Sequence, residues 1–179
     1  MAKRNYGVDV LSISSIEQLK KELNSYRNTF TQKCRILVDR LIGNGIDIAQ
    51  IKVSESPLGK YITLRAEVDN VSSGAVGSII GVGAIKQADE YEDFNILLAV
   101  EFGAGIHHNA KANPKAAELG FGVGTFPGQT HAFQDSWWYW DAKDEKWKRT
   151  YGIKATMPMY SAFLEMYKIA QQTAIEVFR

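Results

Sequence analysis

Tyr61-Ile62-Thr63-Leu64-Arg65-Ala66-Glu67-Val68 decides the fold. Ile62, Leu64, Ala66 and Val68 alternate with Tyr61, Thr63, Arg65 and Glu67, and successive side chains on a strand point to opposite faces. The stretch therefore predicts a strand with one buried face. Such a face needs a cover, and an amphipathic helical pattern lies on either side of it in the chain.

Upstream, Ser14 and Glu17 form a capping-box pattern, in which hydroxyl and carboxylate each satisfy a backbone N–H at a helix start. Ile16, Leu19, Leu23, Tyr26, Phe30, Leu37 and Leu41 then recur at helical spacing, with Cys34 between Phe30 and Leu37, and Gly43-Asn44-Gly45 supplies a stop. A helix from Ser14 to Ile42 follows from this, after an irregular lead-in over residues 1–13. The same stripe fits a short coiled-coil seam, but strands follow at once and need a cover, which favours packing on the chain's own sheet. Ile46 to Val53 reads as a short strand, and Ser56-Pro57-Leu58-Gly59 as a turn.

Downstream, Ser72-Ser73-Gly74 breaks the alternating strand, and Val76 to Ile85 reads as a third strand. Asp89-Glu90-Tyr91-Glu92-Asp93 lacks calcium-loop spacing and reads as a solvated turn. Phe94 to Phe102 alternates through Ile96, Leu98 and Val100, which predicts a fourth strand ending at Glu101 and Phe102. Asn113 and Pro114 open one or two helical turns, and Ser136 to Tyr151 reads as a hairpin turning through Asp141 to Lys146. The last helix starts near Thr156 or Met157, with Pro158 in its first turn and Met159, Phe163, Met166, Ala170, Thr173 and Val177 along one face. The fold class is α+β: a long N-terminal helix and a C-terminal helix on a largely antiparallel sheet, with a Trp-rich hairpin insertion, in a single domain over 1–179. On this reading Asp at Leu23 or Leu64 buries an unpaired charge and unfolds or aggregates the protein.

With 45% hydrophobic and 23% charged residues and a net charge of +1, the composition is that of an ordinary globular protein and gives little support to nucleic-acid binding. The single cysteine, Cys34, cannot form an internal disulfide, which suits synthesis in a reducing cytoplasm. No apolar run suggests a signal peptide or a membrane span.

Chemistry-bearing patterns are weak. Gly81 and Gly83 fail to complete a dinucleotide fingerprint at Lys86, and Gly122 and Gly124 fail at Pro127. His107, His108 and His131 with Asp135 could supply zinc ligands, but adjacent histidines on an extended chain point apart. Cys34 sits on an apolar helix face, where a thiolate is disfavoured. Glu101 and Asp135 could pair for glycoside hydrolysis, as could any two acids in a chain of this size. No cofactor or metal is expected. Trp137-Trp138-Tyr139-Trp140 is more informative, because four consecutive aromatics on a strand place two on each face. One pair enters a core, and the other is left for an interface or a sugar-stacking platform.

Val100-Glu101-Phe102-Gly103, Thr125-Phe126-Pro127-Gly128-Gln129, the Trp-rich hairpin, Thr150-Tyr151-Gly152, and Met159-Tyr160 with Ala162 before the last helix occur in an order that resembles the tail-completion, or head–tail joining, family of long-tailed bacteriophages. The likeness runs from about Ser14 onward. Ala104 stands where that family often has Thr, and Met157-Pro158-Met159-Tyr160-Ser161 replaces a more usual Pro-Phe-Met-Tyr-Pro. The resemblance implies a structural α+β subunit without catalytic groups, assembled as a ring of six in the virion neck; a monomer when isolated is expected because subunits that meet only on a pre-formed neck avoid assembling too early. It implies as partners a tail-tube or tail-terminator protein and a head-completion (stopper) protein, with no membrane and no sequence-specific nucleic acid. The expected contact residues are Glu101, Phe102, Gly103, Phe126, Gln129, His131, Trp137, Trp138 and Trp140. The competing expectations are a metal-dependent or glycan-cleaving hydrolase and a glycan-binding module that uses the tryptophans.

Overall fold

The structure, a computed structural model, describes residues 12–72, 74–87, 93–105, 113, 115–118, 135–141 and 144–179. Its spine is α1 (Ile13–Ser54), a 42-residue helix about 63 Å long at the usual rise per residue. Its cap lies two residues before the expected one: Ser12 Oγ accepts from Ser15 N–H at 3.4 Å. It also runs straight through Gly43-Asn44-Gly45 and the expected strand Ile46–Val53. Tertiary packing overrides propensity there. Ile42, Gly45, Ala49 and Val53 are buried along one stripe, so the apolar period continues across the glycines. Gly45 is small because three elements meet at it: an added Cβ would lie 2.7 Å from both Ile79 Cδ1 and Met166 Sδ.

After a turn and a short 3-10 segment at Gly59–Tyr61, β1 (Ile62–Val71) and β2 (Gly74–Gly83) form an antiparallel ribbon in the register Ile62↔Gly83 to Val71↔Gly74. The alternation in the sequence holds, with Ile62, Leu64 and Val68 turned inward, though Ala66 stays exposed. The ribbon lies along α1, with Gly77 against Val38 and Ile42 and Gly74 near Cys34. There is no single sheet among the described residues. Instead three two-stranded antiparallel ribbons occur: β1–β2, then β3 (Ile85–Gln87) with β4 (Asp93–Asn95), then β5 (Trp137–Asp141) with β6 (Lys146–Thr150).

The expected strand Phe94–Phe102 becomes α2 (Ile96–Phe102), and α3 (Lys115–Glu118) follows Asn113. Asn95 caps α2 by accepting from Leu98 N–H at 3.3 Å, and Gly103, in the positive-φ region at 80°, ends it. Ile96, Ala99, Val100, Glu101 and Phe102 are all buried, so apolar residues surround the helix and its alternation carried no period.

The last helix, α4 (Pro158–Phe178), begins where the sequence places it. It runs antiparallel to α1: Phe178 packs against Phe30 with the rings tilted and their centroids 5.6 Å apart, Arg40 Nη1 lies 3.8 Å from Glu176 Oε2, and Met166 sits at Gly45. The architecture is therefore α+β, two long helices side by side with the β1–β2 ribbon packed on the longer one. No helix among the described residues is long and apolar enough to cross a membrane.

Leu64 packs with Leu97 and Met159 around Gly81, whereas Leu23 lies on α1 before Phe30, where no residue is buried. Leu64→Asp is expected to cost about 2 kcal/mol and Leu23→Asp to leave the fold intact, since only the first places a charge among apolar groups. Chemical denaturation of both variants checks this, and equal destabilisation would contradict the packing.

Candidate functional site

Glu101 lies at the centre of the chain's one described buried carboxylate network. It is 6% exposed. Its Oε1 accepts from Asn113 Nδ2 at 2.9 Å and Tyr160 N–H at 3.1 Å, and its Oε2 from Met159 N–H at 2.9 Å. Met159 and Tyr160 stand in the first turn of α4, where backbone N–H groups have no helical partner. The residue before the helix, Met157, has left-handed φ and ψ of 51° and 55° and makes no side-chain cap. Glu101 therefore caps α4 from 58 residues away, adding a negative charge at the positive end of the helix dipole. Burial raises its pKa above the ordinary carboxylate value, and the three hydrogen bonds oppose that shift without cancelling it.

The same node anchors the hairpin. Thr156 N–H donates to Val100 O at 2.9 Å, and Ala104 and Ile153 exchange backbone hydrogen bonds of 2.8 and 3.2 Å. This bridge brings the exit of β6 against the end of α2. Gly152, at a φ of 89°, permits it: an added Cβ would lie 2.2 Å from Ala104 O. Gly152→Ala is expected to cost about 3 kcal/mol through the clash and the positive φ, visible as a lowered melting temperature. An unchanged melting temperature would show that the bridge does not hold the hairpin.

The hairpin sorts its aromatics by face. Trp137 is half-buried, its ring 2.7 Å from where a Cβ on Gly105 would sit. Trp138 and Trp140 point the other way, and the register Trp138↔Arg149 and Trp140↔Trp147 adds Trp147 and Arg149 to their face. Trp138 is 61% and Trp147 62% exposed, and Trp140 is exposed beside them. Trp140 and Trp147 meet edge to face, with centroids 5.7 Å apart. Arg149 is held by Ser136 Oγ at 2.7 and 2.9 Å and lies over the Tyr151 ring. Near the turn, Lys148 reaches Asp141 at 2.6 Å and also Asp144, and these carboxylates hold its pKa above the usual lysine range. The face is thus three large aromatic surfaces on a pinned ribbon, an arrangement suited to burial against a partner at low ordering cost.

Set against the expected contact residues, Trp138 and Trp140 stand outward while Trp137 packs inward. Glu101, Phe102 and Gly103 are buried inside the chain, which removes them from its surface and corrects their assignment as contacts. Their work is internal, because the carboxylate holds α4 and Phe102 fills the core beside Ala99 and Ala104. Phe126, Gln129 and His131 lie outside the described residues, as do His107 and His108. Asn113, expected only as a helix cap, also donates to Glu101, and Trp147, within the expected hairpin, joins its outward face. A second aromatic run lies on α4, with Phe163 and Tyr167 exposed. Tyr160, Phe163 and Tyr167 stack along α4 at 6.5 and 6.3 Å, a pattern readable from their helical spacing.

For catalysis, Glu101 has both oxygens committed to hydrogen bonds and Asp135 is exposed. Cys34 is a half-buried thiol on α1. Among the described residues no three His, Cys, Asp or Glu side chains converge as a metal site would require. No protein-family model matches the chain, and neither a curated protein nor a solved structure matches it.

Proposed function

We propose that this chain is a structural joining subunit of the kind its sequence resembles, completing a phage tail and linking it to the head. It does so as a ring, six copies being the number the resemblance implies, within the virion neck after synthesis in the bacterial cytoplasm. The observation that supports this reading is the outward face of the hairpin, where Trp138, Trp140 and Trp147 stand together on a ribbon fixed to the interior. Exposed tryptophans clustered in this way behave as interface anchors, each able to contribute about 2 kcal/mol or more when enclosed by a partner.

The roles then divide between inside and outside. Glu101 fixes the first turn of α4, the Ala104–Ile153 bridge fixes the hairpin to the same node, and the tryptophans meet the neighbouring copy or a neck protein such as the tail terminator or stopper. A rigid joint needs pre-ordered anchors, since side chains already held in place lose less entropy on docking.

Deleting the gene from the phage or prophage that encodes it and imaging the lysate tests the reading. Filled heads and finished tails that remain apart are expected, and infectious joined particles would exclude an essential joining role. A glycan platform is the second reading that the same tryptophan face favours. It would appear as a shift in tryptophan fluorescence on titration with soluble oligosaccharides, which a joining subunit does not show.

A further inference from the structure

Two clefts adjoin along one side of α1, and polar and basic groups line both. The first, of about 400 Å³, lies where the tip of the β1–β2 ribbon meets the helix, with Arg27, Gln32 and Arg35 on the helix side and Asn70 and Ser72 on the ribbon side. The second, of about 560 Å³, continues toward the start of the helix past Lys20, Lys21, Asn24 and Ser25, and shares Asn28 and Gln32 with the first. Lys20, Asn24, Arg27, Thr31 and Arg35 follow one another at steps of three and four residues, so they share a face and span about 22 Å of helix.

That face continues the one on which the ribbon packs. Under the ribbon it presents Val38 and Ile42 to Gly77. Beyond the tip its chemistry changes: Lys20, Lys21, Arg27 and Arg35 are exposed, with amides and hydroxyls between them. Lys20, Lys21 and Arg27 make no ion pair among the described residues, while Arg35 Nε lies 3.6 Å from Asp39 Oδ2. Glu17 is the one acid lining either cleft. A surface that serves only solubility interleaves both signs of charge, whereas this one sets four cations between acids at its two ends.

From this we infer that this face of α1 binds the phosphate backbone of duplex nucleic acid without reading its sequence. Backbone contacts are made by arginine and lysine together with serine, threonine, asparagine and glutamine, which are the residue types that line the clefts. The planar guanidinium groups of Arg27 and Arg35 match the oxygens of a phosphate in a way that a point charge does not. Single strands are held by stacking their bases on aromatic rings, and no aromatic residue lines either cleft, which selects the duplex. A protein partner would need an apolar centre to its interface, and Val71 is the one apolar side chain in the lining. The net charge of +1 hides this face because acids elsewhere in the chain cancel it. The inference goes beyond the joining role and does not depend on it.

Fluorescence anisotropy of a short labelled DNA duplex of mixed sequence, titrated with the full chain, provides the test. Four phosphate contacts predict a slope of about −3.6 in log affinity against log salt, so binding should weaken roughly a hundredfold between about 50 and 200 mM salt. Arg27→Gln with Arg35→Gln should bring the slope to about −1.8 and weaken binding roughly tenfold at the lower salt, equally for any duplex sequence. Both arginines are exposed, so an unchanged melting temperature accompanies the loss. Lys154→Gln with Lys168→Gln removes the same charge from exposed positions elsewhere and should change the affinity less than about twofold. Equal losses in the two double variants would reduce the effect to net charge and overturn the inference. So would the absence of binding at low salt, or a preference for single strands that is lost with Trp138→Ala. Tighter binding of poly-glutamate than of the duplex, through the same two arginines, would assign the face to an acidic protein and overturn it as well.

Discussion

Glu101→Ala is expected to destabilise the protein by about 4 kcal/mol. Removing the carboxylate leaves the Asn113 amide and the N–H groups of Met159 and Tyr160 without their acceptor. A buried unmet donor costs about 1–3 kcal/mol and a lost helix cap about 1 kcal/mol, and a cavity adds to both. Glu101→Gln should cost less, about 2 kcal/mol, because its carbonyl still accepts while its amide faces an N–H. The pH dependence has a definite sign. Burial raises the carboxyl's pKa in the folded state, so the fold binds the proton more tightly than the unfolded chain does. Its contribution is therefore fullest below the ordinary carboxylate pKa and declines as pH rises through the raised folded value. Melting temperatures measured across that window should fall more steeply for the wild-type protein than for Glu101→Gln. Parallel curves would remove Glu101 from the linkage, and a wild-type melting temperature in Glu101→Ala would remove it from the cap.

The sequence made the long helix legible because its apolar period persists over many turns, yet the end of that helix was misplaced. Gly43 and Gly45 are stop residues in isolation, and only the convergence of Ile79 and Met166 on Gly45 reveals a packing position. In the same way Ile96, Leu98 and Val100 satisfy a strand's alternation, but a short helix buried on all sides has no polar face to betray its period. The two faces of the hairpin followed from the pleat alone. Which face is outward did not, since that depends on Gly105 receiving Trp137 and on the Ala104–Ile153 bridge. The capping of α4 by Glu101 was beyond reach for a similar reason: the carboxylate and the amides it serves are nearly sixty residues apart in the chain, and no local signal links them. Glycine 103 and its neighbours drew attention as an unusual run, and the structure explains them as interior supports and not as surface.

Joining is expected to depend on the tryptophans far more than folding does. Trp138→Ala with Trp147→Ala removes two exposed rings from the hairpin face, and neither occupies the core. The edge-to-face pair with Trp140 contributes about 1 kcal/mol, so the melting temperature should fall by only a few degrees. At an interface, the same two rings acting as anchors would contribute about 4 kcal/mol per subunit, roughly a thousandfold in affinity. The most direct measurement is complementation of the deletion phage with this double variant, scored by electron microscopy alongside a thermal melt of the purified protein. The account predicts a folded protein and a lysate of unjoined filled heads and tails. Joined, infectious particles formed by the folded variant would contradict it.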